Sequence, residues 1–357
     1  MTMPVLDAVL TEAVTSGASD VYFLEGVAPS IKVDGLVSPI QGVGMLDTDA
    51  MRSIVERLLP VRERAAFAQT GEANLSHVHP ILGRFRVNCY RAMGVSGAVL
   101  RRVKTEVPTI DDLELPSLLG GLVLERQGLI LVVGATGAGK STTVAAMLHH
   151  RSTHSRGHVV TIEDPVEYLH AADQSIVSQR EVGIDTDSYL VGLRNALRQA
   201  PDVIFVGELR DSETAAVALH SAETGHLVLS TLHATNATTA IERLLHFFQP
   251  EVRASVLLQL SLTMRAVIAQ RLVPRSAGKG RAAAMEIMLV TSRIQALIRR
   301  GELETIRQAI EEGTNEGLQT FDQALFELLQ KKAIGQDDAL RFADSPNNLR
   351  LRMKGIR

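Results

Sequence analysis

The pattern of apolar and polar positions divides this chain into two parts. In the first part, short alternating segments separated by glycine and proline predict six β-strands. Helical spacing of apolar residues predicts helices over Val5–Ser16 and Thr48–Leu59. The predicted strands are Asp20–Leu24, Ser30–Val33, Leu36–Ile40, Glu72–Val78, Arg84–Tyr90 and Gly97–Val103. This order favours a small α+β domain built on an antiparallel sheet.

The second part alternates nearly continuous apolar runs with helical segments, which favours an α/β domain whose parallel sheet is covered on both faces. The predicted strands are Leu129–Val133, His158–Ile162, Val203–Val206 and His226–Leu232. From Pro250 onward the pattern is mainly helical, with one short strand around Arg281–Met288. A proline-bracketed acidic segment, Val107–Pro116, is typical of a linker. We therefore predict an N-terminal domain over residues 1–106, a linker over 107–116 and a second domain over 117–357.

A glycine-rich segment, Gly134–Ser141, lies between the predicted strand Leu129–Val133 and a helical pattern, which is the context that a phosphate-binding P-loop requires. Its backbone N–H groups can point at phosphate oxygens, and the helix N-terminus adds partial positive charge. Lys140 can reach the β- and γ-phosphates, and the Ser141 hydroxyl can ligate Mg²⁺. The sequence thus predicts binding of ATP and Mg²⁺. The predicted nucleotide-binding residues are Gly134, Ala135, Thr136, Gly137, Ala138, Gly139, Lys140, Ser141 and Thr142.

Two glutamates follow predicted strands of the same sheet, where parallel α/β sheets bind ligands. Glu163 follows His158–Ile162, and a carboxylate there can orient the water that attacks the γ-phosphate. Glu208 follows Val203–Val206 and can hold Mg²⁺ directly or through water. For two nearby aspartates, Asp202 and Asp211, helix capping or turn chemistry is the preferred interpretation.

Two histidines flank one predicted strand: His226 precedes it and His233 ends it. His233 occupies the position of a γ-phosphate sensor, although a purely structural hydrogen bond is an equal alternative. Metal binding by these histidines is not expected, because compact ligand spacing is missing. Four further histidines are interpreted as a polar helix end and loop; they are His149, His150, His154 and His158.

Composition narrows the classes of partner. The net charge of −3 indicates no general attraction to nucleic acid or to anionic membranes. With four Tyr and no Trp, a DNA translocase or helicase is not favoured. The single cysteine, Cys89, excludes an intramolecular disulfide and a four-cysteine zinc site. No signal peptide and no uncharged apolar run of ~20 residues is found, so the cytosol is the expected compartment.

Four motifs in a fixed order carry a resemblance to a known family. They are the P-loop, Thr161–Tyr168 (TIEDPVEY), Gly207–Asp211 (GELRD) and Ala222–Ala234 (AETGHLVLSTLHA). Together they resemble the secretion ATPases that power type IV pili, over a range from Ala18 to the C-terminus. Further stretches look closest to the PilT/PilU retraction branch, and to PilU in particular. These stretches are Gln179–Asp185, Leu197–Asp202, Gly317–Phe326 and Ala343–Arg350.

The resemblance implies a PAS-like N-terminal domain joined to a RecA-like ATPase domain. It implies a homo-hexameric ring at the cytoplasmic face of the bacterial inner membrane. The implied partners are a PilC-like platform protein in that membrane and a PilT-like paralogous ATPase. Association with the membrane is peripheral, through the platform alone, and nucleic acid is not an implied partner.

Site roles also follow from the resemblance. Glu163 corresponds to the catalytic acid that activates water, Glu208 to the acid associated with Mg²⁺, and His226 and His233 to the histidine-box residues. Arginine fingers are implied in the N-terminal domain, with Arg86 and Arg101 as candidates. Weaker candidates for the same site or for a subunit interface are Arg194, Arg198 and Arg210.

Two features bear on the choice within the family. The chain lacks the four-cysteine zinc insertion and the extra N-terminal domain common in pilus-assembly and type II secretion ATPases, which favours retraction. The stretch Arg293–Arg300 departs from the AIRNLIRE segment of PilT proteins but keeps the spacing of an amphipathic core helix, which fits a PilU-type accessory motor. The alternatives are a related pilus-assembly or type II secretion ATPase, and an ATP-binding regulatory subunit of a mixed ring. The basic tail Arg350–Arg357 is either a solvated terminus or a docking segment for the platform.

Overall fold

A computed structural model describes residues 5–33, 35–103 and 105–355. The chain forms two compact units. Unit 1 comprises Met1–Glu106 together with Glu167–Leu169, and unit 2 comprises Val107–Val166 and His170–Arg357. No helix in these described ranges is long and apolar enough to cross a membrane. The last two residues of the basic tail lie outside the described residues.

Unit 1 is an antiparallel sheet with helices packed on one face. Its helices are α1 (Val5–Thr15), α2 (Thr48–Leu58) and α3 (Val61–Thr70). Its strands are β1 (Asp20–Leu24), β2 (Ser30–Val33), β3 (Leu36–Pro39), β4 (Glu72–His79), β5 (Gly83–Ala92) and β6 (Val95–Arg102). The strand order is β3-β2-β1-β6-β5-β4. The predicted antiparallel α+β architecture is confirmed.

Local chemistry explains these elements. Helix α2 begins at an N-cap, Asp47, whose carboxylate accepts a hydrogen bond from the Ala50 N–H. The side chains that α2 buries follow its amphipathic spacing, and Met51 is completely enclosed. Helix α3 was not predicted: it has no side-chain N-cap, and only Phe67 is buried, so its apolar periodicity is weak.

Unit 2 carries the larger sheet. Its strands are β7 (Gly128–Val133), β8 (Gly157–Glu163), β9 (Ser175–Glu181), β10 (Val203–Val206), β11 (Leu227–Leu232), β12 (Met264–Pro274) and β13 (Arg281–Leu289). Its helices are α4 (Leu118–Val123), α5 (Lys140–His154), α6 (Tyr189–Ala196), α7 (Ser212–Glu223), α8 (Ala237–His246), α9 (Arg253–Thr263), α10 (Ser292–Arg300), α11 (Ile306–Glu312), α12 (Phe321–Gln330), α13 (Gln336–Phe342) and α14 (Pro346–Met353). Short 3₁₀ helices cover Pro250–Val252, Leu303–Thr305 and Thr314–Glu316.

The sheet of unit 2 has the order β13-β12-β7-β11-β10-β8-β9. All neighbouring pairs are parallel except β12 with β13, which is antiparallel. Every residue of β7, β10 and β11 is buried, because helices cover both faces of the sheet. The prediction of a covered parallel sheet is therefore confirmed for its centre and corrected at the β13 edge.

Two strands of this sheet contradict the sequence interpretation. The region after Pro250 was expected to be mainly helical, yet β12 spans eleven residues and pairs with β7. It follows α9 directly, without glycine or proline, so its apolar run is ambiguous between helix and strand. Strand β9 was missed because it is a polar edge strand that buries only its two end residues. Helix α10, by contrast, buries Ile294, Leu297 and Ile298 and confirms the predicted amphipathic core helix.

The segment Val107–Pro116, expected to be a linker, belongs to unit 2. Ile110 and Leu115 are buried in the core beneath α4 and α5. Thr109 and Asp112 exchange two hydrogen bonds, from the Thr109 N–H to the carboxylate and from the Asp112 N–H to the hydroxyl. The segment is therefore folded against its unit.

Candidate nucleotide-binding site

The register of the parallel strands brings the predicted motifs to one edge of the sheet. Val133 of β7 lies opposite Leu232 of β11, and Val206 of β10 lies opposite Ile162 of β8. The loops that follow these four strands therefore emerge side by side, at the carboxyl edge where parallel sheets bind ligands. These loops carry the P-loop, Glu163, Glu208 and His233.

The P-loop joins β7 to α5. The Lys140 ammonium donates to the carbonyl oxygens of Gly134 (2.9 Å) and Ala135 (3.1 Å), so its charge lies directly over the loop backbone. Gly139 has φ +88°, and a Cβ there would lie 2.8 Å from the Gln270 amide nitrogen. That position requires glycine on both grounds. The Gln270 side chain also accepts a hydrogen bond from the Thr143 hydroxyl (2.7 Å), so β12 supports the loop and the first turn of α5.

Glu163 ends β8 as the sequence predicts. Its Oε1 accepts hydrogen bonds from the Thr161 hydroxyl (2.6 Å) and from the Gln179 amide (3.2 Å). Gln179 lies on β9 and also accepts from the His170 N–H (2.9 Å), which orients its amide. The sequence motifs do not assign Gln179 a place in the site, because β9 was not predicted. Hydrogen bonds from its own strand, β8, and from the neighbouring strand β9 thus fix the direction of the carboxylate.

Glu208 lies at the centre of a polar cluster. Its Oε2 accepts from the Arg210 guanidinium (2.9 Å), and its Oε1 lies 3.4 Å from His233 Nε2. Arg210 also lies 3.6 Å from Asp164, and its hydrogen bond to Glu208 raises the pKa of the guanidinium. The structure therefore places Arg210 at the site. The other two weaker candidates have different contacts: Arg194 is 3.7 Å from Glu213, and Arg198 donates to the Arg194 carbonyl.

The oxygen donors fit Mg²⁺. The Ser141 hydroxyl lies in the first turn of α5, and the Glu208 carboxylate lies in the loop after β10. Hydroxyl and carboxylate oxygens are the ligands that Mg²⁺ prefers, with waters and phosphates completing its shell. No group of three His, Cys, Asp or Glu residues within the described ranges forms a metal cage. This donor set therefore suits an ion that arrives with a nucleotide.

His226 is separated from the other predicted site residues. It precedes β11, and its carbonyl accepts from the Gly128 N–H at the start of β7, which is the amino edge of the sheet. Six residues of strand separate it from His233, a distance of about 20 Å. Its Nδ1 lies 3.1 Å from the Ser221 carbonyl oxygen. Within one chain, His226 therefore lies at the opposite edge of the sheet from Glu163, Glu208 and His233, and its role as a histidine-box residue stays a prediction.

The aspartates have the structural roles preferred from the sequence. Asp211 caps α7 by accepting from the Thr214 N–H (2.7 Å), and Asp202 accepts from the His158 N–H (2.8 Å). His149, His150 and His154 lie on the last turns of α5, and the rings of His150 and His154 stack with centroids 3.9 Å apart. His158 lies in β8, as the predicted strand His158–Ile162 requires, and not in the loop.

The candidate arginine fingers lie on the sheet of unit 1. Arg86 on β5 and Arg101 on β6 are directly opposite each other, so both side chains belong to the same face. Arg101 Nε donates to Asp20 (2.7 Å), whose side chain is buried, while 62% of the Arg101 side chain is exposed. Two neighbouring guanidinium groups on one sheet face match what an anionic ligand requires. Their role in catalysis stays a prediction.

Glu286 on β13 is a buried carboxylate that no sequence motif indicates. Only 3% of the residue is exposed, and its Oε1 accepts a hydrogen bond from the Ala237 N–H (2.7 Å) at the start of α8. Burial raises the pKa of Glu286 to about 7, while the bond from Ala237 acts in the opposite direction. Glu286 lies between apolar residues on the strand, and nothing in the sequence indicates which group it contacts.

Replacing Glu286 with glutamine is expected to remove part of the pH dependence of stability. The pKa is raised from 4.5 to about 7 on folding, so between these values the folded state binds the additional proton. The wild-type free energy of unfolding therefore falls as pH rises from 4.5 through about 7, by at most ~3 kcal/mol. Urea unfolding of wild type and Glu286→Gln at about pH 5 and about pH 8 measures this difference. An identical pH dependence in both proteins would contradict the prediction.

Comparison with known proteins agrees with this geometry. A family model described as type II/IV secretion system protein matches residues 1–330. The type IV pilus ATPase PilU of Pseudomonas aeruginosa is 46% identical over 341 residues, covering 96% of this chain and 89% of that protein. The type IV pilus retraction ATPase PilT of the same organism is 39% identical over 332 residues, covering 93% of this chain and 96% of that protein.

The structural comparison points in the same direction. A crystal structure of the pilus retraction motor PilT with bound ADP matches with a TM-score of 0.90 at 36% identity, covering 98% of this chain and 99% of that one. This match confirms the predicted fold class, an α/β RecA-like ATPase domain with a smaller α+β N-terminal domain. The family match and the long alignments lead to the same conclusion. This chain belongs to the type II/IV secretion system protein family, among the pilus ATPases similar to PilU and PilT.

Proposed function

We propose that this chain is an ATP-hydrolysing motor that powers type IV pilus retraction, as a PilU-type accessory to a PilT-like ATPase. The observation that carries the proposal is the convergence of the P-loop, Glu163, Glu208 and His233 on one edge of the sheet. The similarity of the chain to PilU and PilT supports the coupling of ATP hydrolysis at this site to pilus retraction. The chain works in the cytoplasm, as a homo-hexamer against a PilC-like platform protein in the inner membrane.

In this mechanism Lys140 leaves its two carbonyl partners and places its ammonium group against the β- and γ-phosphates. Ser141 and Glu208 would hold Mg²⁺, which would supply positive charge to neutralise the phosphates. Glu163 orients the attacking water, and the hydrogen bonds from Thr161 and Gln179 fix the direction of its carboxylate. His233 donates to the γ-phosphate and reports its loss.

The arginines link hydrolysis to movement. Arg86 and Arg101 supply positive charge to the γ-phosphate when an N-terminal unit closes over bound ATP. Loss of that phosphate removes the attraction, and the unit reopens as a hinge-type switch. The adjacent positions of the two guanidinium groups on β5 and β6 support this role. Sequential reopening around a ring turns the platform, against which pilin subunits leave the fibre.

Complementation tests the assignment. The chain is expressed in a strain lacking its PilU-like ATPase and in a strain lacking both retraction ATPases, and pilus retraction is recorded by microscopy. We expect restored retraction in the first strain and no retraction in the second, because an accessory motor needs its paralogue. Retraction in the double deletion would show an independent motor. Failure in both strains, with normal expression, would contradict the proposal.

A regulatory subunit that binds ATP without hydrolysing it is the second candidate. It differs in one measurement, phosphate release by the purified chain. Lys140, Ser141, Glu163 and Glu208 are all present at the expected edge of the sheet, which favours hydrolysis.

A further inference from the structure

The β13 strand places a carboxylate beneath the loop that carries His233. Glu286 lies opposite Ala269 of β12, and only 3% of it is exposed. A buried carboxylate is unfavourable unless hydrogen bonds or charges compensate it. Three charged side chains act on Glu286 from neighbouring elements: Asp344 raises its pKa, and Arg271 and Arg307 lower it. Glu286 Oε1 accepts a hydrogen bond from the Ala237 N–H, at 2.7 Å.

Ala237 is the first residue of α8, where backbone N–H groups have no partner inside the helix. The N-cap residue, Asn236, accepts from the Thr239 N–H instead (2.8 Å), and the Ala237 N–H donates to Glu286. Thr239 completes a capping box by accepting from the Asn236 N–H (3.1 Å). Glu286 therefore fixes the start of α8 to β13, and a negative charge is favourable at this end of a helix.

The start of α8 lies four residues after His233. On the other side, His233 follows β11, which is held between β7 and β10 in the sheet. The segment from His233 to Asn236 thus has two fixed ends, the sheet and the bond from Ala237 to Glu286. Between these ends, His233 Nε2 lies 3.4 Å from Glu208 Oε1. A shift of α8 along its axis would change that distance directly.

We propose that Glu286 is a positioning residue for His233, acting through its hydrogen bond with the Ala237 N–H. The inference rests on the proposed function, in which His233 contacts the γ-phosphate. Without the bond, the N-terminus of α8 loses its link to β13 and His233 samples positions outside reach of Glu208 and of the phosphate. Binding of ATP, which depends on the P-loop after β7, is retained. The hydrogen bond is required, and the charge of Glu286 is not.

The test compares steady-state ATP hydrolysis by the full chain carrying Glu286→Ala or Glu286→Gln. Glu286→Ala removes the acceptor, and we expect kcat to fall about tenfold with KM for ATP within about twofold. Glu286→Gln keeps a carbonyl acceptor, and we expect kcat within about twofold of wild type. If the substitutions only disturbed core packing, both variants would lose thermal stability. The kcat would then not fall in Glu286→Ala while staying near wild type in Glu286→Gln.

A double-mutant cycle with His233→Ala shows whether the effect passes through His233. We expect Glu286→Ala to cause no further loss of kcat in the His233→Ala background. The matched control is Asp47→Ala, which removes a carboxylate that accepts from a backbone N–H, that of Ala50, at the start of α2 in unit 1. Its effect on kcat should be small and independent of His233.

A second variant covers the case in which Glu286→Ala does not fold. Ala237→Pro removes the donor instead of the acceptor, and proline is tolerated at the first position of a helix. The preceding Asn236 is extended (φ −157°, ψ 176°), as a residue before proline prefers. We expect kcat to fall about tenfold, as in Glu286→Ala, and KM for ATP to be retained.

Two results would overturn the inference: an equal loss from Glu286→Ala with and without His233, or a Glu286→Gln protein as impaired as Glu286→Ala. A wild-type chain without ATP hydrolysis would instead contradict the proposed function.

Discussion

Replacing Lys140 with alanine is expected to abolish ATP hydrolysis and weaken ATP binding together. The Lys140 ammonium lies over the P-loop carbonyls of Gly134 and Ala135, where the β- and γ-phosphates bind in a P-loop. Its removal takes one positive charge from the ground state and from the transition state. We expect kcat/KM to fall by about 10²–10³-fold or more, with a weaker Kd for ATP. Phosphate release and fluorescent-nucleotide titration measure the two effects.

A matched control separates this role from a general loss of charge. Lys279 is an exposed lysine in the turn between β12 and β13 of the same unit. Lys279→Ala should hydrolyse ATP at the wild-type rate and bind it normally. Wild-type hydrolysis by Lys140→Ala, with a folded protein, would contradict the assignment of the P-loop as the nucleotide site.

Glu163→Gln is expected to separate binding from hydrolysis. The amide keeps nearly the same shape but cannot take a proton from the attacking water, so kcat should fall by about 10²–10⁴-fold. Binding of ATP should persist, because the P-loop is unchanged. Single-turnover hydrolysis and nucleotide affinity, measured on the same sample, distinguish this result from that of Lys140→Ala. In cells, the variant should also fail to support pilus retraction.

The control for this substitution is close in sequence. Glu167 is exposed and follows Glu163 by four residues in the same acidic segment, yet it belongs to unit 1. Glu167→Gln should retain most of the hydrolysis rate. If both substitutions reduced kcat equally, the general charge of the segment would explain the effect, and the specific role of Glu163 would be wrong.

The polar cluster around Glu208 suggests why three motifs of the family occur together. Glu208 contacts Arg210 and His233 in the same cluster, and Arg210 in turn lies near Asp164, the residue after Glu163. A change in charge at the γ-phosphate can therefore act on the loops after β8, β10 and β11 at the same time. Gln179 extends this set to β9 through its hydrogen bond with Glu163.

Several parts of the site follow from the sequence. The P-loop is defined by local residue order, because its glycines, Lys140 and Ser141 are adjacent along the chain. Glu163, Glu208 and His233 each end a recognisable apolar strand, and carboxyl ends of parallel strands meet at one edge. The N-cap Asp211 is likewise a local feature, because it and its donor Thr214 lie within four consecutive residues. These assignments need only periodicities and short spacings.

Other parts were decided by tertiary structure. β9 and β12 depend on which neighbours they pair with, because one is polar and the other is equally compatible with a helix. Gln179 and Gln270 became site residues only once those strands were placed beside β8 and β7. His226 shares a motif with His233, but β11 carries them to opposite edges of the sheet.

The amino-acid sequence by itself therefore determined the family, and it predicted the nucleotide and the residues that act on it, because all of these depend on the local order of residues. Tertiary structure alone decided which distant residues support them: Glu286, for example, reaches Ala237 across forty-nine positions of chain. The physical reason is that a hydrogen bond depends on distance and direction in space, and strand register sets both only after the sheet has formed.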